Sequence, residues 1–301
     1  RNREFCNLSE VVVRPTDDEK TLKDKVELAT ILGTFQSTLV NFRYVSNAWK
    51  KNCEEERLLG VSLTGIMDNK YTSGKEKGLE GMLDRLRLHA VEVNKKWAKK
   101  LGISQAAAIT CVKPSGTVSQ LVDSASGIHA RHNPYYIRTV RGDKKDPLTQ
   151  MMIEAGFPVE DDQMNPTHTS VFSFPIKCYE DAVFRQDMTA IEQLELWKTY
   201  QKHWCEHKPS VTISVKEEEW MKVGSWVYDN FDLMSGVSFL PFSDHSYKQA
   251  PYQDCDEVEF KKLEKQIPSN VDWSLLAKYE QSDMTVGSQE LACVAGGCEI
   301  Q

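Results

Sequence analysis

Short apolar runs rich in β-branched residues alternate along this chain with longer segments whose apolar residues step by three and four. No other feature constrains the fold as strongly. The runs lie at residues 6–13, 58–67, 106–112, 170–174, 210–215 and 236–242. Residues 18–42 between the first two place Leu22, Val26, Ala29, Leu32, Phe35 and Leu39 on one helical face. A longer helix carries Leu79, Met82, Leu86, Ala90, Val93 and Trp97, with Gly102 as its stop. Further helices are expected at 190–207 and 217–229. Strands separated by helices need crossover connections, which implies a mostly parallel sheet and the α/β class. Lys95, Lys96, Lys99 and Lys100 crowd the end of the long helix, where its dipole favours cations, so they need not form an anion patch.

From about Gln281 the pattern dissolves into a polar tail ending in ELACVAGGCEIQ. The expected organisation is therefore a folded body over residues 1–280 and a flexible tail over 281–301. The tail's two thiols, Cys293 and Cys298, have no further ligands nearby for zinc, and Gly296 and Gly297 between them suggest motion. Such a pair suits a dithiol that exchanges disulfides with other pairs. Eight cysteines scattered through 301 residues do not resemble a disulfide scaffold, and a cytoplasmic, reducing setting is expected. A net charge of −7 argues against nucleic acid or a membrane surface as partner. No apolar run is long enough to span a bilayer.

The stretch CVKPSGTVSQ offers a second chemical feature. A strand runs into Pro114, and Ser115, Gly116, Thr117 and Val118 then open a short helix. Hydroxyls and first-turn amides in this arrangement can bind an anion such as phosphate. Ser and Thr are also ordinary capping residues, and at this point both readings stand. The loop is not a G-x-x-x-x-G-K-[ST] phosphate loop. His203 and His207 flank Cys205 at metal-compatible spacing, but no third ligand can be nominated, so a solvated helix end is favoured and no metal site is assigned. Tyr135 and Tyr136 are expected to pack a strand.

Taken together, EFCNLSEV, LLGVSLTGIMD, TCVKPSGTVSQLVDSASGIHARHNPYYIRTVR, SVTISV, GVSFLPF, YKQAPY and GSQELACVAGGCEIQ resemble, in order, the C-terminal half of adenosylcobalamin-dependent ribonucleotide reductases. The resemblance is to the monomeric type that reduces ribonucleoside triphosphates. It implies the second half of a ten-stranded α/β barrel of the ribonucleotide reductase and glycyl radical enzyme type. It also implies a cobalamin-generated thiyl radical acting on the ribose, two cysteines that reduce the sugar, and a terminal dithiol recharged by thioredoxin. By position, Cys6 matches one reducing cysteine, and Cys293 and Cys298 match the shuttle pair. Pro114, Ser115, Gly116, Thr117 and Val118 match the loop that holds the substrate phosphates.

The family's Asn-Pro-Cys-x-Glu motif, which bears the thiyl cysteine, has no counterpart here, since the chain starts at Arg1 just short of it. A missing N-terminal half, removed by cropping or encoded separately, is therefore an expected partner. Two other readings compete. One is a thiol–disulfide relay or binding fragment without radical chemistry. The other is a reductase whose radical comes from a metal-cofactor subunit.

Overall fold

In this computed structural model, residues 1–242 and 248–282 are described. The strands are β1 (Asn7–Val12), β2 (Leu59–Thr64), β3 (Thr110–Cys111), β4 (Tyr135–Asp143), β5 (Val159–Asp161), β6 (Thr169–Lys177), β7 (Val211–Val215), β8 (Val237–Pro241) and β9 (Tyr252–Asp254). The helices are α1 (Glu19–Gln36), α2 (Asn47–Glu56), α3 (Leu79–Leu101), α4 (Thr117–Leu121), α5 (Pro147–Glu154), α6 (Ala190–His203), α7 (Trp220–Asp229), α8 (Glu257–Glu264) and α9 (Leu276–Tyr279). The chain divides into one unit of Arg1–Arg131 with Asp181–Phe242, and a second of His132–Glu180 with the residues after Phe242.

The first unit is the α/β part. Strands β1, β2 and β3 pair in parallel, with Leu8 opposite Gly60 and Ser62 opposite Cys111. Strands β7 and β8 also pair in parallel. A parallel bridge from Val112 to Pro209 joins the two sets, and the Ser210 N–H donates to the Val112 carbonyl at 2.8 Å. The result is a five-stranded parallel wall in the order β1-β2-β3-β7-β8.

Helices cover one side of this wall, which is where the apolar residues of each strand point. Val11, Val13, Leu59, Val61, Leu63 and Ile213 are buried with Leu22 and Val26 of α1, Leu83 and Leu86 of α3, and Leu194 and Trp197 of α6. Three buried aromatics satisfy their polar ends against backbone carbonyls. Trp197 donates to Pro209, Trp204 to Cys111 and Tyr200 to Thr72, each at 2.8 Å.

Helix ends follow local chemistry. Asp18 caps α1 by accepting from the Thr21 N–H. The expected continuation of α1 to residue 42 does not occur. The hydroxyls of Ser37 and Thr38 turn back onto the carbonyls of Thr34 and Phe35 and compete with the next helical turn. Gly102 ends α3 in the left-handed region, and Lys100 lies over the Trp97 ring at 4.2 Å.

The second unit departs from the mostly parallel expectation. Its sheet, in the order β5-β6-β4-β9, is antiparallel throughout. Of these strands only β5 and β6 form a hairpin, and α8 packs on β4 and β6 while α5 packs on α9. Tyr136 lies buried in β4, as the strand reading of Tyr135 and Tyr136 expects. Among the described residues no helix is long and apolar enough to cross a membrane.

Candidate active site

Parallel sheets are ordinarily apolar on both faces. In this wall the face turned away from the helices carries mostly polar groups, with the half-exposed Leu8 among them. It presents Cys6 just before β1, Glu10 in β1, Gly60 and Ser62 in β2, and Cys111 at the end of β3, where the chain passes into the Ser115 turn. Strand pleating explains the grouping, because alternate residues face alternate sides and the parallel register lines up the same parity across neighbouring strands.

Gly60 sets the closest approach on this face. A Cβ added there would lie 2.8 Å from the Cys6 sulfur and 3.5 Å from the Cys111 sulfur. The two thiols thus converge over a bare stretch of β2, one from each side. Burial pushes the Cys6 thiol above its ordinary value, and the nearby Lys113 ammonium partly offsets this. Cys111 is more enclosed. Burial pushes it up to about 12, eased by Lys113 and reinforced by Cys6 and Glu10. Cys205 is also held well above the ordinary thiol range, again by burial. At neutral pH these are S–H groups, with Cys6 the most accessible of the three.

The Ser115 turn is anchored to the same face. The Ser115 hydroxyl donates to a Glu10 carboxylate oxygen at 2.9 Å, and the Lys113 N–H donates to the Ser62 hydroxyl at 3.0 Å. Burial raises the Glu10 pKa, although the bond from Ser115 favours its charged form. Gly116 has φ +50° and ψ −119°, backbone that a side chain would strain. The turn's amides are engaged internally. The Gly116 N–H donates to the Ser126 hydroxyl at 3.2 Å, and the Val118 N–H donates to the Ser115 carbonyl at 3.1 Å. An anion bound here would exchange with these bonds. Helix α4, which follows, is a single turn.

The segment after α4 is pinned by a buried ion pair. Arg131 donates to both oxygens of Asp68 at 2.7 and 3.0 Å and also reaches Asp123, while Asp68 accepts from the Ala125 N–H at 2.7 Å. His129 accepts from the Thr212 N–H through Nε2 at 3.0 Å, which makes Nδ1 the donor to the Ser126 carbonyl at 2.9 Å. Desolvation lowers its pKa, so it ties the turn to β7 as a neutral ring.

Cys6 lies beside Gly60 on this face, and the turn of Pro114, Ser115, Gly116, Thr117 and Val118 is joined to the same strand set by the Ser115–Glu10 bond. The other two nominated thiols, Cys293 and Cys298, lie outside the described residues. His203 bonds Asp84 at 3.0 Å and His207 bonds the Leu59 carbonyl at 2.7 Å, each with its own partner. No cluster able to hold a metal ion occurs among the described residues. Sequence reasoning missed Cys111, Gly60 and Glu10. The period-two alternation of Cys6, Leu8 and Glu10 was the signal available, together with the position of Cys111 two residues before Lys113.

The fold and site define an α/β protein with two thiols and a Ser-Gly-Thr turn on one side of a parallel wall. Comparison with known proteins goes further. The chain is 26% identical over 332 aligned residues to the adenosylcobalamin-dependent ribonucleoside-triphosphate reductase of Lactobacillus leichmannii, covering 100% of this chain and 44% of that protein. A probable reductase of the same name from Dictyostelium discoideum is 32% identical over 214 residues, 69% of this chain and 28% of the relative. The Euglena gracilis reductase is 28% identical over 75% of this chain. A crystal structure of a B12-dependent class II ribonucleotide reductase superposes with a TM-score of 0.78 at 24% identity, over 93% of this chain and 42% of that one, a likeness of fold. No protein-family model matches. The chain is a part-length member of the adenosylcobalamin-dependent ribonucleotide reductase family, spanning under half the length of the relatives it matches.

Proposed function

We propose that this chain forms the C-terminal part of the catalytic barrel of a ribonucleoside-triphosphate reductase, with Cys6 as one of the two thiols that reduce the ribose. The observation that supports this reading is that the Cys6 sulfur sits beside Gly60 of the same wall to which the Ser115–Glu10 bond joins the Ser115 turn. The five parallel strands would be one half of a ten-stranded barrel, and an N-terminal half would supply the rest. Residues 1–280 would belong to the barrel and 281–301 to the redox tail.

The chemistry balances on thiols. Two cysteines, Cys6 and one on the complementary half, give up two hydrogens and become a disulfide. The 2′-hydroxyl leaves as water and the carbon gains a hydrogen. Cys293 and Cys298 then reduce that disulfide by exchange and become oxidised in turn, and thioredoxin or a similar dithiol restores them. Direct sulfur-to-sulfur contact is required at each exchange, which explains why the dithiol sits on a tail. Pro114, Ser115, Gly116, Thr117 and Val118 would hold the triphosphate, with the Ser115 and Thr117 hydroxyls and the turn's amides as donors. The cytoplasm, with its reducing glutathione and thioredoxin pools, is the compartment that suits such a cycle.

Adenosylcobalamin is the radical source in this reading, and when bound it supplies a carbon-centred radical. No residue of this chain is assigned to hold it.

The test is reconstitution. The chain is mixed with the N-terminal portion of a relative, adenosylcobalamin, a dithiol and a ribonucleoside triphosphate, and deoxyribonucleotide is measured. Product is expected, with loss of at least a hundredfold in Cys6→Ser. Product that survives Cys6→Ser removes Cys6 from its role. Thiol exchange with thioredoxin but no product with any complement favours a relay fragment. Turnover without cobalt–carbon cleavage in the visible spectrum favours a metal-cofactor radical source.

A further inference from the structure

Strand pairing does not hold Cys6 in place. The β1–β2 ladder begins at Asn7 opposite Leu59, so Phe5 and Cys6 lie just outside it. Helix α2 and the loop before it supply the hold. The Phe5 ring stacks on Trp49 with centroids 4.5 Å apart and planes at 28°, and it meets Phe42 edge-on at 5.0 Å. The Phe5 N–H donates to the sulfur of buried Cys53 at 3.3 Å. These three contacts converge on the residue immediately before Cys6.

A satellite of the apolar core would be the plain explanation for such a cluster, but the exposure of Phe5 argues against it. The residue remains 43% exposed despite two aromatic neighbours. Burying apolar area is therefore not what the arrangement chiefly achieves. A ring stacked on one side, met edge-on by a second ring and tethered through its amide is a fixed pivot. On the far side of Cys6, the bare backbone of Gly60 leaves room for the sulfur, since a Cβ there would stand 2.8 Å from it.

We propose that Trp49 and Cys53 are positioning residues for Cys6: acting through Phe5, they hold its sulfur over Gly60 and turned into the polar face. This rests on the reading of Cys6 as a reducing thiol. A reducing pair must meet its partner sulfur at bonding distance in every cycle. A cysteine at the loose end of a strand would lose that geometry without a second support. Cys53 also serves as the acceptor for an amide that alanine would leave unpartnered. The contacts of Trp49 and Cys53 are to Phe5, the residue before Cys6, so both act through it.

The test is the pH–rate profile of Cys6 alkylation by iodoacetamide in the full chain, read by mass spectrometry on the tryptic peptide of residues 4–20, since the Arg14–Pro15 bond resists trypsin. The wild type should react slowly, because burial holds its thiol above the ordinary value. In Trp49→Ala the freed segment should swing out. Its inflection should move toward that of an ordinary thiol, and the rate at pH 8 should rise about five- to tenfold. Trp49→Phe should keep the stack and the wild-type profile, and Cys53→Ala should give an intermediate rise. Cys111 and Cys205 in the same digests separate positioning from general loosening, since a merely destabilised chain would label them in parallel. Wild-type profiles in both Trp49→Ala and Cys53→Ala, or parallel labelling of the buried thiols, would overturn the proposal. Should Trp49→Ala not fold, Cys53→Ala decides. The readout does not depend on turnover, so positioning can fail while Cys6→Ser still abolishes product, and the reverse result is equally visible.

Discussion

Gly60→Ala should move the Cys6 thiol while leaving the fold in place. The added methyl would lie 2.4 Å from Leu8 Cδ2, 2.8 Å from the Cys6 sulfur and 3.5 Å from the Cys111 sulfur. Leu8 is 52% exposed and can rotate away at little cost. Cys111 is already at ordinary contact distance. The burden therefore falls on Cys6, whose sulfur must retreat by about half an ångström or more to reach normal van der Waals separation. Overpacking of this kind costs about 1–3 kcal/mol, and the freedom of Leu8 places the expected loss at the low end, about 1 kcal/mol. Urea denaturation would measure that loss, with the slope unchanged. Because burial is the main cause of the raised Cys6 pKa, displacement should also lower it and speed alkylation at pH 8 several-fold. A variant whose stability and Cys6 profile both match the wild type would show that the sulfur does not lie over Gly60.

Glu10 has a raised folded-state pKa, so its contribution to stability is fully present below the unfolded value and is lost as pH rises through the folded one. Denaturant midpoints taken upward from pH 4.5 should show this decline in the wild type and lose it in Glu10→Gln; identical pH slopes would contradict the assignment. Arg131→Met strands the buried Asp68 carboxylate and should cost about 3–5 kcal/mol, measured by chemical unfolding. A loss under about 1 kcal/mol would mean the pair is not buried in solution. Cys111, with its pKa pushed up to about 12, should resist iodoacetamide in the native chain at pH 8 and react on unfolding, whereas Cys6 should react in both states. Native labelling of Cys111 at the Cys6 rate would refute the enclosure described here.

Much of the first unit was legible in the sequence because its signals are local. The apolar spacing of Leu22, Val26 and Ala29 follows directly from helical geometry, as does the Gly102 stop of α3. The β-branched character of β2 and β7 follows from their burial. Helix α2 left no such signal, because its ten residues, NAWKKNCEEE, bury only Cys53 and show no apolar stripe. The antiparallel sheet escaped because β4 and β6 read as separate strands, exposed β5 left no apolar signal, and pairing direction is set by contacts distant in sequence. At the site, Cys6 and the Ser115 turn were visible as motifs. The Ser115–Glu10 bond was not, and neither was the approach of Cys111 to Cys6 over Gly60, which depends on parallel register across β1, β2 and β3. Gly60 is one of 16 glycines, and only the tertiary contacts distinguish it.

A single-turnover count tests the central claim most directly. The reconstituted enzyme is fully reduced, freed of external dithiol and given excess ribonucleoside triphosphate. Each product consumes one dithiol. The wild type should therefore yield about two deoxyribonucleotides per active site, one from the pair containing Cys6 and one from Cys293 and Cys298. The Cys293→Ser/Cys298→Ser variant should yield about one, and Cys6→Ser none. A tail variant that matches the wild-type count would contradict the account, because the terminal thiols would then not be recharging Cys6.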